Sequence, residues 1–169
     1  MKLSSVLLCQ HELFFQEVIM KEVYTKSFRA GWGAMDFNAH MANRAYLDMA
    51  ADTRMLYFEE TGFPMSEFQR MLIGPVILKD EVEYLREFKL LEAIDVTLML
   101  AGMSDDGSRF ILRNDFIKSE RIRAATITST GGWLNLRERR LTTPPERLLH
   151  VISDLAKTDN FLRLDSSIR

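Results

Sequence analysis

The sequence predicts a single α+β domain in which an antiparallel β-sheet wraps around one long central α-helix. Three observations lead there. From Asn43 to Thr61 there is neither Gly nor Pro, and Ala42, Ala45, Tyr46, Met49, Thr53 and Leu56 recur at helical spacing. Four strand-like runs follow, two of them flanking "SDDG", Ser104 to Gly107, whose Asp-Gly is a hairpin signal. The order is strand, long helix, four strands, short helix, with no repeat, linker or low-complexity segment between them.

Bulk properties bound the reading. A chain of 169 residues is long enough to bury a real core, and 47% hydrophobic with 27% charged residues is globular composition rather than disorder. A net charge of −2 gives no electrostatic reason to expect a nucleic-acid partner. The lone cysteine, Cys9, leaves no internal disulfide framework and fits a reducing, cytoplasmic compartment. No apolar run approaches the roughly 18–20 residues of a membrane span.

The first 19 residues read as an N-terminal extension to a domain over 20–169. Leu7, Leu8, Phe14, Phe15 and Val18 suit a short amphipathic helix, while Gln10, His11 and Glu12 interrupt any secretory signal. "KEVYTKSFRAGW" then has the aromatic and β-branched content of a strand that ends at Gly31 and Gly33. Asn43 reads as the helix cap to within a residue or two, since Ala42 precedes it. Gly62 follows the last turn and Pro64 forbids continuation. Leu47, Ala50, Ala51, Met55, Tyr57 and Phe58 lie off the main apolar stripe, so the helix is expected to be buried around most of its circumference.

The strands after it are "PVILKDEVEYLREF", "DVTLMLAGM", "SRFILRNDFIK" and "IRAATITSTGGWLNL". "TPPERLLHVISDL" closes the series as a terminal helix, with Thr143 at the N-cap, Pro144 at the first position and Glu146 completing a capping box.

The seam between the first strand and the long helix carries an unusual polar group: Asp36, Asn38, His40 and Asn43. An aspartate has a reference pKa of ~3.9 and is ionised at neutral pH, so it can act as base or nucleophile without prior activation. A helix N-terminus supplies unpaired N–H groups and partial positive charge for a developing oxyanion. Read alone, Asp36 and Asn38 are equally the residues of a tight turn.

"DFNAHMANRAY" resembles the D-x-N-x-H-M-x-N-x-x-Y signature of hotdog-fold acyl-CoA thioesterases of the 4-hydroxybenzoyl-CoA thioesterase-like group. Asp36, Asn38, His40, Met41, Asn43 and Tyr46 carry the match, and the element order agrees from about Glu22 to Pro145. Two positions depart from it: Ala39 stands where relatives often have glycine, and Ala42 where a second asparagine often precedes Asn43.

The resemblance implies a hotdog fold, hydrolysis of an acyl-CoA thioester without a cofactor, and a homodimer or homotetramer with pockets at subunit interfaces. It also implies catalytic roles for Asp36 and for the backbone N–H at Asn43. Asn38, His40 and Tyr46 are expected to organise the loop or line the substrate pocket. Arg139 and Arg140, within "RERR", are candidates for the coenzyme A phosphates, or else a solvated strand end.

Other chemistries find less support. No ligand pair beside His40 and Asp36 has zinc spacing, and no "GxSxG" positions a serine. The "HFPGxPxxPG" loop of hotdog dehydratases is not found. A non-catalytic hotdog module that binds acyl-CoA remains the alternative from another class. Met35, Met41, Met49 and Met55 read as core or as an adaptable lining for an acyl chain. Asp48, Asp52 and Glu59 lie on the helix, and Asp48 is at four-residue spacing from Arg44.

Overall fold

Alternation along the strands decides which face of the sheet is buried. In "AIDVTLMLAGMS" every second residue from Ile94 to Leu100 is fully buried, while Asp95, Thr97 and Met99 face the other way. A computed structural model of the chain describes residues 21–168. The expected extension over 1–19, with its amphipathic helix and Cys9, lies outside the described residues.

The elements are β1 (Tyr24–Arg29), α1 (Asn43–Glu60), α2 (Met65–Met71), β2 (Ile73–Tyr84), β3 (Ala93–Ser104), β4 (Arg109–Ile117), β5 (Arg123–Asn135), β6 (Arg140–Thr142), α3 (Glu146–Ser153) and β7 (Lys157–Leu164). The seven-stranded sheet has the central order β1-β3-β4-β5-β2, all antiparallel, with β6 added to β5 and β7 pairing β3 in parallel. Helix α1 packs its buried residues against one face of the sheet, and β2 is left as an edge strand among the described residues. That edge bulges between Ile77 and Lys79 and throws Leu78 outward.

Four expectations change. The α1 helix buries one face only: Ala45, Tyr46, Ala50, Thr53, Arg54, Tyr57 and Phe58 meet the sheet, while Ala51 and Leu56 stay exposed beside Asp48, Asp52 and Glu59. A single sheet covers a helix from one side. The residue capping α1 is Ala42, extended at φ −65° and ψ 146°, and Asn43 is the first helical residue.

The third change concerns Thr143. Helix α3 starts at Glu146 behind an extended Pro145, so Thr143 and Pro144 lie outside it. A proline disfavours the α conformation in the residue before it, so Pro145 keeps Pro144 out of the helix. The fourth is that α2, β6 and β7 were not anticipated. The first two are short, and β7 is a polar edge strand with only Thr158 buried.

The core divides into two apolar clusters. One surrounds Trp133, Phe58, Phe63, Phe68, Phe110 and Leu112; the other surrounds Tyr46, Phe88, Val96, Phe116 and Ile127. Between them runs a polar seam. On β4 Asn114 separates Leu112 from Phe116, on β5 Ser129 separates Ile127 from Trp133, and on α1 Thr53 and Arg54 separate Ala50 from Tyr57. Asp80 of β2 lies opposite Ser129 in the same register.

The hairpin between β3 and β4 locks the Trp133 end. Gly107 has φ +68°, its carbonyl accepts the Trp133 Nε1–H at 3.0 Å, and α3 packs directly over it. A Cβ added there would lie 2.4 Å from Leu149 Cδ1 and 3.2 Å from Pro144 Cγ. Gly107→Ala therefore combines left-handed strain with overpacking. It should lower stability by about 1–3 kcal/mol, read as a lower denaturant midpoint at unchanged slope.

Candidate active site

The loop between β1 and α1 is closed by its own main chain. After β1, buried Ala30 exchanges hydrogen bonds with the β2–β3 connection, donating to Glu92 and accepting from Leu91. Trp32–Ala34 forms one 3-10 turn. Met35 then bridges Met41, and His40 bridges Lys89, so the chain folds back within six residues. Met41 N–H donates to the Phe88 carbonyl at 2.9 Å and Ala42 N–H to the Ala34 carbonyl at 2.8 Å, which fixes where α1 begins.

Asp36 sits at the centre of this turn. Its N–H donates to the His40 carbonyl at 2.8 Å and its carbonyl accepts from Ala39 N–H at 3.2 Å. Its Oδ1 accepts the N–H groups of Asn38 at 2.8 Å and His40 at 3.2 Å. The side chain that satisfies the turn is thus Asp36, with Asn38 as donor rather than acceptor. Among the described residues Oδ2 accepts no hydrogen bond. One oxygen holds the carboxylate in place, and the other is presented at the surface.

The helix start lies just beyond. Ala42 has no side-chain acceptor, so no side chain caps α1, and the first N–H groups of a helix have no intrahelical partner. Asn43 is exposed at that terminus. Arg44 reaches back to the Gly33 carbonyl and lies 3.9 Å from Asp48, as the four-residue spacing suggests.

Tyr46, one turn on, is 2% exposed, its ring 5.1 Å from Tyr84 and 5.2 Å from Phe116. Burial, with Tyr84 and Glu87 adding to it, pushes its phenol up to about 12, so it stays neutral at physiological pH. Within the chain it anchors the helix start to the core.

His40 and Asn38 are exposed beside Asp36. The Glu87 carboxyl is held below the usual carboxylate range by its own backbone N–H, against the effect of burial and with help from His40, Lys118 and Lys89. His40 belongs to the loop itself, Lys89 bridges it from the β2–β3 connection, and Lys118, just after β4, donates to the Glu87 carbonyl. Sequence reasoning passed over Lys89, and also Trp32 and Phe37, which are 81% and 97% exposed on either side of Asp36. The available signal was an aromatic residue inside an otherwise polar motif.

Arg139 and Arg140 are not brought to this loop. Arg139 sits in the turn joining β5 to β6 and Arg140 opens β6, where it pairs with Glu138 at 2.7 Å. The loop's Met41 bonds Phe88, two residues past the bond from Arg86 to Ala124 at the opposite end of β5, so a strand length, roughly 35 Å at ~3.3 Å per residue, separates the two groups.

The methionines belong mostly to the core: Met41 is buried, Met35 and Met49 pack on the same cluster, and Met55 packs on the other. Among the described residues no group of three His, Cys, Asp or Glu side chains is placed to hold a metal ion. No helix there is long and apolar enough to cross a membrane.

Comparison with known families matches residues 30–152 to the Thioesterase-like superfamily. The chain belongs to that superfamily.

Its fold is the hotdog fold, as similar solved structures show. A hypothetical Staphylococcus aureus protein in complex with CoA superposes with a TM-score of 0.72 at 21% identity, over 81% of this chain and 88% of that one. A 1,4-dihydroxy-2-naphthoyl-CoA thioesterase from Synechocystis gives 0.70 at 12% identity, over 79% and 98%. A gentisyl-coenzyme A thioesterase gives 0.66 at 20% identity, over 75% and 98%. No curated protein matches.

In this thioesterase-like loop the departure at Ala39 has a measurable consequence. Ala39 adopts φ +61°, the left-handed region that a glycine enters without strain. Relief of about 1–2 kcal/mol of strain is partly offset by glycine's larger unfolded-state entropy. Ala39→Gly should therefore raise stability by up to about 1 kcal/mol, read from thermal or denaturant unfolding. An unchanged or lower midpoint would contradict this account of the turn.

Proposed function

We propose that the chain hydrolyses an acyl-CoA thioester to free acid and CoA. In this reading Asp36 is general base or nucleophile, and the start of α1 near Asn43 polarises the thioester carbonyl. The observation that carries it is the division of the Asp36 carboxylate, with Oδ1 tied to the turn and Oδ2 without a partner among the described residues. A carboxylate aligned in advance, beside an uncapped helix start, loses little freedom on reaching its reacting geometry.

As base, Oδ2 takes a proton from water as its oxygen bonds to the thioester carbon. The carbonyl oxygen gains charge facing the helix N–H groups, and the carbon–sulfur bond then breaks to release the CoA thiolate. As nucleophile, Oδ2 attacks the carbon directly and displaces the CoA thiolate as the carbon–sulfur bond breaks, and water then cleaves the resulting anhydride to the free acid and the Asp36 carboxylate. Asn38 and His40 offer exposed side chains to the substrate beside this centre, and Tyr46 keeps the helix start in register.

Among similar structures, a CoA complex and two aryl-CoA thioesterases support the substrate class. The edge strand β2 and the exposed Trp32 and Phe37 support a second copy of the chain as the missing wall of the pocket. Arg139 and Arg140 can serve CoA phosphates only in such an assembly.

Asp36→Asn tests the chemistry. Asparagine keeps an oxygen for the Asn38 and His40 N–H groups, so unfolding should be unchanged while kcat falls about 10²–10⁴-fold with little change in KM. His40→Ala keeps the backbone N–H that Asp36 accepts and should cost much less. Near-normal kcat in Asp36→Asn alongside loss in His40→Ala would reverse the assignment. Assembly has its own check: light scattering at micromolar concentration should give a dimer or larger, and a folded monomer would count against an interface-built site.

A further inference from the structure

Among the described residues, the polar seam contains a cation without a direct counter-ion. Arg54 is 8% exposed, and the one hydrogen bond its guanidinium makes among the described residues is from Nη1 to Ser129 Oγ, at 2.6 Å. Ser129 Oγ–H donates in turn to Asp80 Oδ1, so the nearest carboxylate is reached only through a neutral hydroxyl. Burial lowers the Arg54 pKa, and Asp80 only partly opposes this. A guanidinium has five N–H donors in a planar fork, and a buried cation is costly unless paired and fully hydrogen-bonded.

The same side chain lines a cavity of about 120 Å³. Its other walls are apolar: Met55 and Phe58 of α1, Pro75 and Ile77 of β2, and Phe110 and Leu112 of β4. Ala51, exposed on α1, stands at its mouth. The volume suits the end of a chain rather than a whole acyl group. Arg54 lies about three turns, or roughly 16 Å, along α1 from Asn43.

We propose that Arg54 is a specificity-determining residue that receives a carboxylate at the far end of the acyl group. The substrate class is then an ω-carboxyacyl thioester, the half-ester of a dicarboxylic acid with CoA. The apolar walls take the methylene chain, and the planar fork pairs with the terminal carboxylate. The reaction part of this inference rests on the thioesterase reading above, but the binding preference does not.

The test reads binding without turnover. In Asp36→Asn protein, calorimetry compares ω-carboxyacyl-CoA with saturated acyl-CoA of equal length, over a graded series of lengths. With Arg54 intact the carboxylated ester should bind at least about tenfold tighter at its best length. Adding Arg54→Met, similar in length and apolar, should bring the ratio to one or below.

Equal binding with Arg54 intact, or a preference that survives Arg54→Met, overturns the proposal. If Arg54→Met does not fold, Ala51→Leu at the exposed mouth fills the cavity and should abolish the preference, and its persistence there places the carboxylate elsewhere. Absence of turnover by the wild-type protein, with the binding preference present, would instead remove the hydrolase reading and leave this one standing.

Discussion

Burial of one face of α1 against the sheet is the constraint on which the other features depend. The helix must satisfy two apolar clusters at once, one at Tyr46 and one at Tyr57 and Phe58, and this fixes its rotation and its position along the strands. Its N-terminus is fixed as a consequence. Met41, buried under the first turn and bonded to the Phe88 carbonyl, leaves the loop only one way to reach β1. The polar motif projects from the surface between two buried anchors, Ala30 and Met41.

Two aspartates show how a carboxylate fully committed to the fold differs from one with an oxygen to spare. Asp106, in the β3–β4 hairpin, uses both oxygens: Oδ1 accepts from Ser104 and from the Ser108 backbone and hydroxyl, and Oδ2 accepts from Ser166. Burial there favours the neutral acid, but these donors outweigh it and hold the carboxyl well below the usual range. That carboxylate ties the end of β7 to the hairpin and has nothing left to offer a ligand. Asp36 shares the local turn chemistry but commits only one oxygen to it. The turn-forming and chemical readings of Asp36 are therefore compatible, because they use different atoms.

What was legible in the sequence follows the strength of local signals. Gly62 and Pro64 end α1 where the pattern says, and Asp106-Gly107 makes the hairpin, because backbone preferences at those residues are strong. The boundary at Thr143 failed because two prolines interact, and the second governs the first. Strand β7 was invisible because its pairing with β3 is a tertiary fact imposed on a polar segment. The motif from Asp36 to Tyr46 was readable as a polar turn leading into a helix, but not the atom-level division on Asp36. Nor could Arg54 be found by pattern. An arginine amid Asp52, Met55 and Leu56 reads as helix surface, and only the sheet's register brings Ser129 and Asp80 beneath it.

The sheet order connects the edge, the cavity and the assembly. Pro75 and Ile77, which wall the cavity below Arg54, belong to β2, the strand whose outer edge has no partner among the described residues. The bulge after Ile77 and the charges at Lys79, Asp80, Glu81 and Glu83 make that edge a poor template for indiscriminate pairing. A second copy that met this edge would cover the mouth of the cavity with its own surface. It would also lower the dielectric around Arg54, which strengthens any pairing with an anionic group inside. Assembly and recognition would then share one strand, with Arg54 held between the edge and the helix that carries the site.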